Sequence, residues 1–123
     1  MNKDYLKKNY DYYYNRTSHG STLSRVVHAY LASLIGDKKL CWELYMDALA
    51  SDYVDIQGGT TGEGIHTGVM ASTIMLTLYC FAGLKLNGKS LSVTPNLPEH
   101  WRSMKFGLHF KNHKYVFDVR KEE

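Results

Sequence analysis

A change of hydrophobic period part-way along the chain limits its fold more than any other feature. Up to about residue 84 apolar residues recur at spacings of three and four, and after about residue 103 they alternate. The first spacing gives a helix an apolar stripe and the second gives a strand an apolar face, so helices come first and strands last. The expected class is α+β. Leu23, Val26, Val27, Tyr30, Leu31 and Leu34 mark one helix, ended by Gly36-Asp37. A second runs over about 38–50, with Leu40, Cys41, Leu44, Ala48 and Leu49 inward and Lys38, Lys39, Glu43 and Asp47 outward. Over 65–84 apolar residues occur all round, which predicts a helix covered on nearly every side. Ala29, Ala32 and Ser33 allow close neighbours, so the three helices read as inner, outer, inner. Antiparallel connections then place the starts of the first and third at one end. Further on, Asn87-Gly88 signals a hairpin, 92–98 reads as a loop or crossing segment, and 104–110 and 115–120 form a second hairpin turning at Asn112-His113.

With 123 residues the chain is long enough for one domain, and 44% hydrophobic with 22% charged residues excludes disorder, collagen and coiled coil. Ten tyrosines exceed what a small core needs and suit a half-wet cleft or an interface. Cys41 and Cys80 lack any CxxC or Cys/His spacing and lie in apolar helical patterns, so they read as reduced core residues, not as a disulfide or metal site. The first eight residues have no apolar signal-peptide core, and the apolar run 69–84 is interrupted by Ser72, Thr73 and Thr77. The expectation is a cytoplasmic protein without a membrane span, for which the sequon Asn15-Arg16-Thr17 has no consequence. The net charge is +3, but Lys105, Lys111, Lys114, Arg120 and Lys121 are interleaved with Asp118, Glu122 and Glu123. No nucleic-acid-binding motif accompanies them, so they read as a solvated sheet face. A mild positive balance also suits a small anion.

Two loops carry the functional signal. Thr17-Ser18-His19-Gly20-Ser21-Thr22-Leu23-Ser24 leads into the first helix, and Gly58-Gly59-Thr60-Thr61-Gly62-Glu63-Gly64-Ile65-His66 into the third. Glycine lets a ligand approach the backbone, hydroxyls donate, and the unpaired N–H groups at a helix start favour an anion. Capping competes with that reading for each loop alone. Ser21 or Thr22 is an ordinary N-cap, and Thr60 with Glu63 has capping-box spacing. The glycine excess, with His19 and His66 near the two starts, points the pair toward an anion site. His28, His100, His109 and His113 read as structural.

At these loops the sequence resembles glycoside hydrolase family 65, the maltose, trehalose and kojibiose phosphorylases. The resemblance lies in Arg16-Thr17-Ser18-His19-Gly20-Ser21-Thr22-Leu23-Ser24 and Gln57-Gly58-Gly59-Thr60-Thr61-Gly62-Glu63-Gly64-Ile65-His66, with Phe81-Ala82-Gly83-Leu84 and Pro95-Asn96-Leu97-Pro98-Glu99-His100-Trp101. It spans nearly the whole chain. It implies an (α/α)6 barrel followed by a small antiparallel β domain, with the active site at the N-terminal end of the inner helices. Residues 1–84 would supply the last barrel helices and 85–123 the C-terminal β segment. It also implies that Ser21, Thr22 and His66 hold inorganic phosphate, with His19, Gly20 and Thr61 nearby.

The implied reaction is inverting phosphorolysis of an α-glucosidic disaccharide to β-glucose 1-phosphate. A carboxylic acid protonates the leaving oxygen while phosphate attacks the anomeric carbon from the opposite face, so no second carboxylate is needed. No cofactor or metal is implied; disaccharide and inorganic phosphate are the substrates. The family's general-acid glutamate and most sugar-binding residues belong to upstream helices that these residues do not include. The chain therefore reads as a fragment or truncated reading frame, inactive by itself, that forms a homo-oligomer or associates with the missing N-terminal part. Two other readings remain: a hydrolase of the same architecture with Glu63 as general base, and a non-catalytic, self-associating remnant. Glu63 is better explained as a capping partner.

Overall fold

A computed structural model describes residues 3–56, 58–59 and 61–121. The chain forms two compact units, Met1–Leu76 and Thr77–Glu123. The first contains α1 (Lys3–Tyr14), α2 (Thr22–Ile35), α3 (Lys38–Ala50), a single 3-10 turn (Thr61–Glu63) and α4 (Thr67–Leu76). The second opens with a π-helical turn (Thr77–Phe81) and continues as β1 (Leu84–Asn87), β2 (Ser90–Val93), β3 (Ser103–Phe110) and β4 (His113–Arg120). Among the described residues no helix is long and apolar enough to cross a membrane.

Local signals set the helix ends. Ser21 has extended backbone (φ −132°, ψ 139°) and its side chain accepts from the Leu23 N–H, while Gly36 closes α2 in the left-handed region at φ 88°. Asp37 then caps α3 by accepting from the Leu40 N–H at 3.0 Å. This tight connection turns α3 back along α2, and Arg25, near the start of α2, reaches Asp47, near the end of α3, at 3.4 Å. The start of α2 and the end of α3 therefore share one end of the unit. His66, just before α4, bonds Asp52, just after α3, at 2.8 Å. The start of α4 lies at that end too, which is the parallel relation the connections predict.

Burial departs from the sequence pattern on all four helices. α1 leaves no clear apolar period, because only Tyr10 is buried on it, with Leu6 and Tyr14 half-buried one turn to either side. On α2 the inward residues are Thr22, Val26, His28, Ala29 and Ala32, whereas Leu23, Val27 and Tyr30 are exposed. The helix meets its neighbours through small side chains and turns its large ones outward. α4 is shorter than the expected third helix and is covered along one stripe only, Val69, Thr73 and Leu76. Ile74 and Met75 stand exposed, contrary to a helix covered all round. On α3, Tyr45 is buried beside Cys41, Leu44 and Ala48, and Leu49 is exposed.

In the second unit, β1 pairs antiparallel with β2 across Gly88, and β3 with β4. The second turn sits at Lys111 and Asn112, both at positive φ (50° and 62°), one position before the expected Asn112-His113. A two-residue hairpin needs positive φ at both central residues, and Asn tolerates it. Alternation puts Met104, Phe106 and Leu108 opposite Val119, Phe117 and Tyr115 on one face. Lys105, Lys114, Asp118 and Arg120 are exposed, the solvated face expected; Glu122 and Glu123 lie outside the described residues. Phe81, Ala82, Leu84, Leu97 and Val119 are buried, with the Phe81 ring 5.5 Å from that of Trp101. Cys41 and Cys80 are free thiols, each buried in its own unit.

Gly83, at φ 64°, accounts for part of the Phe81-Ala82-Gly83-Leu84 motif. A Cβ there would fall 1.8 Å from the Thr94 carbonyl oxygen, and the Thr94 N–H donates to the Gly83 carbonyl at 2.9 Å. Gly83→Ala is expected to lower unfolding stability by at least about 2 kcal/mol, since strain in φ and a backbone clash add. Gly20→Ala, whose Cβ would meet only the Ser18 hydroxyl at 3.7 Å, should stay within about 0.5 kcal/mol of the parent in the same urea titration.

Candidate anion site at two helix starts

At the start of α2, Ser21 is exposed and its hydroxyl oxygen accepts from the Leu23 N–H at 3.3 Å. Accepting through a lone pair leaves the O–H free to donate, so the cap does not consume the group an anion would use. Thr22, the first helical residue, is buried, and what it brings to this end is a backbone N–H that the helix itself does not pair. Gly20 is exposed and outside the left-handed region, so its bare backbone serves neither strain nor crowding.

His19 is built into the wall of this loop. It sits at φ 50°, its Nδ1 is 2.7 Å from the Ser24 hydroxyl, and its ring lies 4.9 Å from both Tyr14 and His28. Tyr10 completes the cluster, 5.3 Å from Tyr14 and 5.6 Å from His28. Burial, then the nearby His19, pushes the His28 pKa below its ordinary 6.5, and burial pushes that of Tyr10 up. His28 is thus a buried ring of this cluster, in line with its reading as a structural histidine.

At the start of α4, His66 occupies the cap position: its carbonyl accepts from the N–H groups of Val69 at 2.9 Å and Met70 at 3.0 Å. Its own N–H donates to Asp52, 3.2 Å from each carboxylate oxygen, and its Nδ1 is 2.8 Å from Oδ1 of the same group. Nε2 is 3.4 Å from Glu63 Oε2. The hydrogen bond to Asp52, then that to Glu63, raises the His66 pKa above 6.5. Thr61 stands in the 3-10 turn with its hydroxyl oxygen buried and without a hydrogen bond among the described residues. Gln57 and Thr60 lie outside the described residues, and the Thr60–Glu63 capping box with them; Glu63 itself is exposed and faces His66.

The structure thus brings both loops to one end of the first unit and gathers two clusters there, Ser21 with His19 and Ser24, and His66 with Asp52 and Glu63. Sequence reasoning does not single out Asp52. It follows α3 with no motif around it, and only the return of the chain to α4 makes it a partner. Among the described residues no three His, Cys, Asp or Glu side chains could hold a metal ion.

Helices followed by antiparallel sheets, with glycine- and hydroxyl-rich helix starts at one end, place the protein in the α+β class. Residues 1–75 match the glycosyl hydrolase family 65 central catalytic domain and residues 84–123 the family 65 C-terminal domain. The chain belongs to glycosyl hydrolase family 65. Trehalose 6-phosphate phosphorylase of Lactococcus lactis subsp. lactis (strain IL1403) is 44% identical over 112 residues, covering 91% of this chain and 15% of that protein. Alpha,alpha-trehalose phosphorylase of Thermoanaerobacter brockii is 33% identical over 120 residues, covering 98% and 15%. The solved structure of a "putative kojibiose phosphorylase from human microbiome" superposes with a TM-score of 0.80 at 35% identity, over 98% of this chain and 17% of that one. The chain spans 15% of the length of these two curated relatives.

The two perturbed histidines predict opposite pH effects. The raised pKa of His66 makes a contribution to stability that is full below about 6.5 and lost as pH rises through the folded-state value. The lowered pKa of His28 acts the other way: stability is lost as pH falls below about 6.5, where the unfolded chain takes up a proton first. Ring-proton NMR should show His66 titrating above and His28 below that pH. His28→Phe should remove the acid-side loss in unfolding experiments while leaving the loss above it.

Proposed function

We propose that this chain carries the phosphate-binding half of a site for inverting phosphorolysis of an α-glucosidic disaccharide to β-glucose 1-phosphate. The observation that carries the reading is the placement of the two helix starts at one end, with the Ser21 hydroxyl at one and the His66 ring at the other. Relatives named as phosphorylases of trehalose 6-phosphate, trehalose and maltose support the substrate class. In this reading Ser21 donates through its O–H, Thr22 through its backbone N–H, and His66 through Nε2–H. Gly20 and Thr61 border the anion, and His19 holds the loop in shape. Residues 1–84 belong to the end of the (α/α)6 barrel and 85–123 to the β segment, in a cytoplasmic enzyme.

The general acid lies outside these 123 residues, so the chain alone is expected to release no glucose 1-phosphate from maltose, trehalose or kojibiose. Hydrolysis with Glu63 as base is the weaker reading, because hydroxyl-rich helix starts suit phosphate more than water. The exposed stripes Leu23, Val27 and Tyr30 on α2 and Ile74 and Met75 on α4 are, in this reading, covered by the rest of the barrel. Deprived of that cover the chain should self-associate, which light scattering at micromolar concentration checks.

Sulfate is the probe for the anion site, because phosphate itself titrates near pH 6. Backbone amides of residues 20–23 and 64–67 should shift on sulfate addition at pH 6, with millimolar affinity, or about 4 kcal/mol. The double variant Ser21→Ala, His66→Ala should abolish the shifts; equal shifts in the variant, or none in the parent, would overturn the reading.

A further inference from the structure

We propose that Asp52 is the positioning residue of this site: its carboxylate fixes the His66 ring in one orientation with the Nδ1 hydrogen held toward Asp52, so that Nε2 is the nitrogen that faces the anion and donates to it in the protonated ring. The proposal rests on the phosphate reading above and adds to it the residue that makes His66 a donor.

The geometry is that of a clamp. One carboxylate, with its side chain only 13% exposed, takes both the main-chain N–H of His66 at 3.2 Å and the ring Nδ1 at 2.8 Å. Holding main chain and ring of the same residue leaves the imidazole no freedom to turn over. An ionised carboxylate only accepts hydrogen bonds, so Nδ1 must carry a hydrogen whether the ring is neutral or charged. Nε2 is then the variable nitrogen, and it faces a second acceptor, Glu63 Oε2, at 3.4 Å. With an acceptor facing each ring nitrogen, the doubly protonated ring is the form that satisfies both contacts. Among the described residues the ion-pair partners of His66 are these two, Asp52 after α3 and Glu63 in the 3-10 turn before α4.

The two carboxylates are not equivalent. Glu63 is 69% exposed and makes the longer contact, so an arriving anion can take its place at Nε2 at little cost. Asp52 is held from two directions and stays. Exchange of Glu63 for an anion leaves the ring flanked by negative charge on both sides, which keeps the Nε2 hydrogen in place while the anion is bound.

The test uses the 123-residue chain. Sulfate affinity is measured at pH 5.5 and 7.5 for the parent, Asp52→Asn and Asp52→Ala, and the His66 ring is titrated by NMR in each. Asp52→Asn keeps an oxygen acceptor but removes the charge. It should lower the pH at which the ring titrates and weaken sulfate roughly fivefold to tenfold at pH 7.5, but by less than about twofold at pH 5.5, where the ring is charged regardless. Asp52→Ala loses orientation as well and should weaken sulfate at both pH values. An unchanged ring titration in Asp52→Asn, or equal weakening at both pH values, would overturn the proposal, because a merely structural aspartate predicts that outcome. One measurement needs no variant: ring nitrogen shifts of the parent, taken above the His66 titration, should show hydrogen on Nδ1, and hydrogen on Nε2 would overturn the clamp. If the parent binds no sulfate, the phosphate reading fails, while the ring titration and tautomer still decide the role of Asp52.

Discussion

The contact between Asp52 and His66 joins the end of α3 to the start of α4 across 14 positions of sequence. The glycine-rich segment it closes has few apolar residues to hold it, and closing a flexible loop costs entropy that local contacts must offset. A half-buried, charge-assisted pair reinforced by a main-chain N–H does so at a single point. With Arg25 and Asp47 aligning α2 against α3, that point decides where α4 begins. The loop before α4 and the loop before α2 face the same end of the unit because of it, and any chemistry assigned to the pair depends on it.

Capping and anion binding are often treated as rival explanations of hydroxyls at a helix start. At the proposed site the two would use different parts of the same group. Ser21 caps through its oxygen lone pair and keeps its O–H, and His66 caps through its carbonyl while its ring is steered by Asp52. The cap holds each group in place before any ligand arrives, which lowers the entropy lost on binding. His19, packed at steep ring angles against Tyr14 and His28, does the same for the shape of the first loop. The abundance of tyrosine, a hint of a half-wet cleft by composition, finds part of its use in this ring cluster.

Membership of glycosyl hydrolase family 65 gives the exposed side chains a context. Leu23, Val27, Tyr30, Ile74 and Met75 are apolar residues at helical spacing with nothing described over them. A helix apolar all round demands cover on every side, and α4 has it on one. The chain spans 15% of the length of the curated relatives described above.

The ends of α2 and α3, the approximate places of the two hairpins and the order of helices before strands were legible from residue type alone, because caps, left-handed glycines and alternation act within a few residues. Ser21, Gly36, Asp37 and Gly88 each worked locally and stood where the sequence places them, whereas Asn87 ends β1 paired with Ser90 just before the turn. The two loops with an excess of glycine and hydroxyl were legible for the same reason. α1 was not, since a stripe one residue wide has no period to detect. Nor was the inward face of α2: spacing identifies apolar positions but cannot tell small residues that admit a neighbour from large ones that await one. Asp52 had no local signal at all. Its role comes into being only when α3 and α4 return to the same end and a carboxylate and an imidazole distant in sequence meet at 2.8 Å. Short-range stereochemistry was written in the sequence; the pairing of His66 with Asp52 was decided by tertiary structure, because such a pair depends on distance in space, which no spacing along the chain encodes.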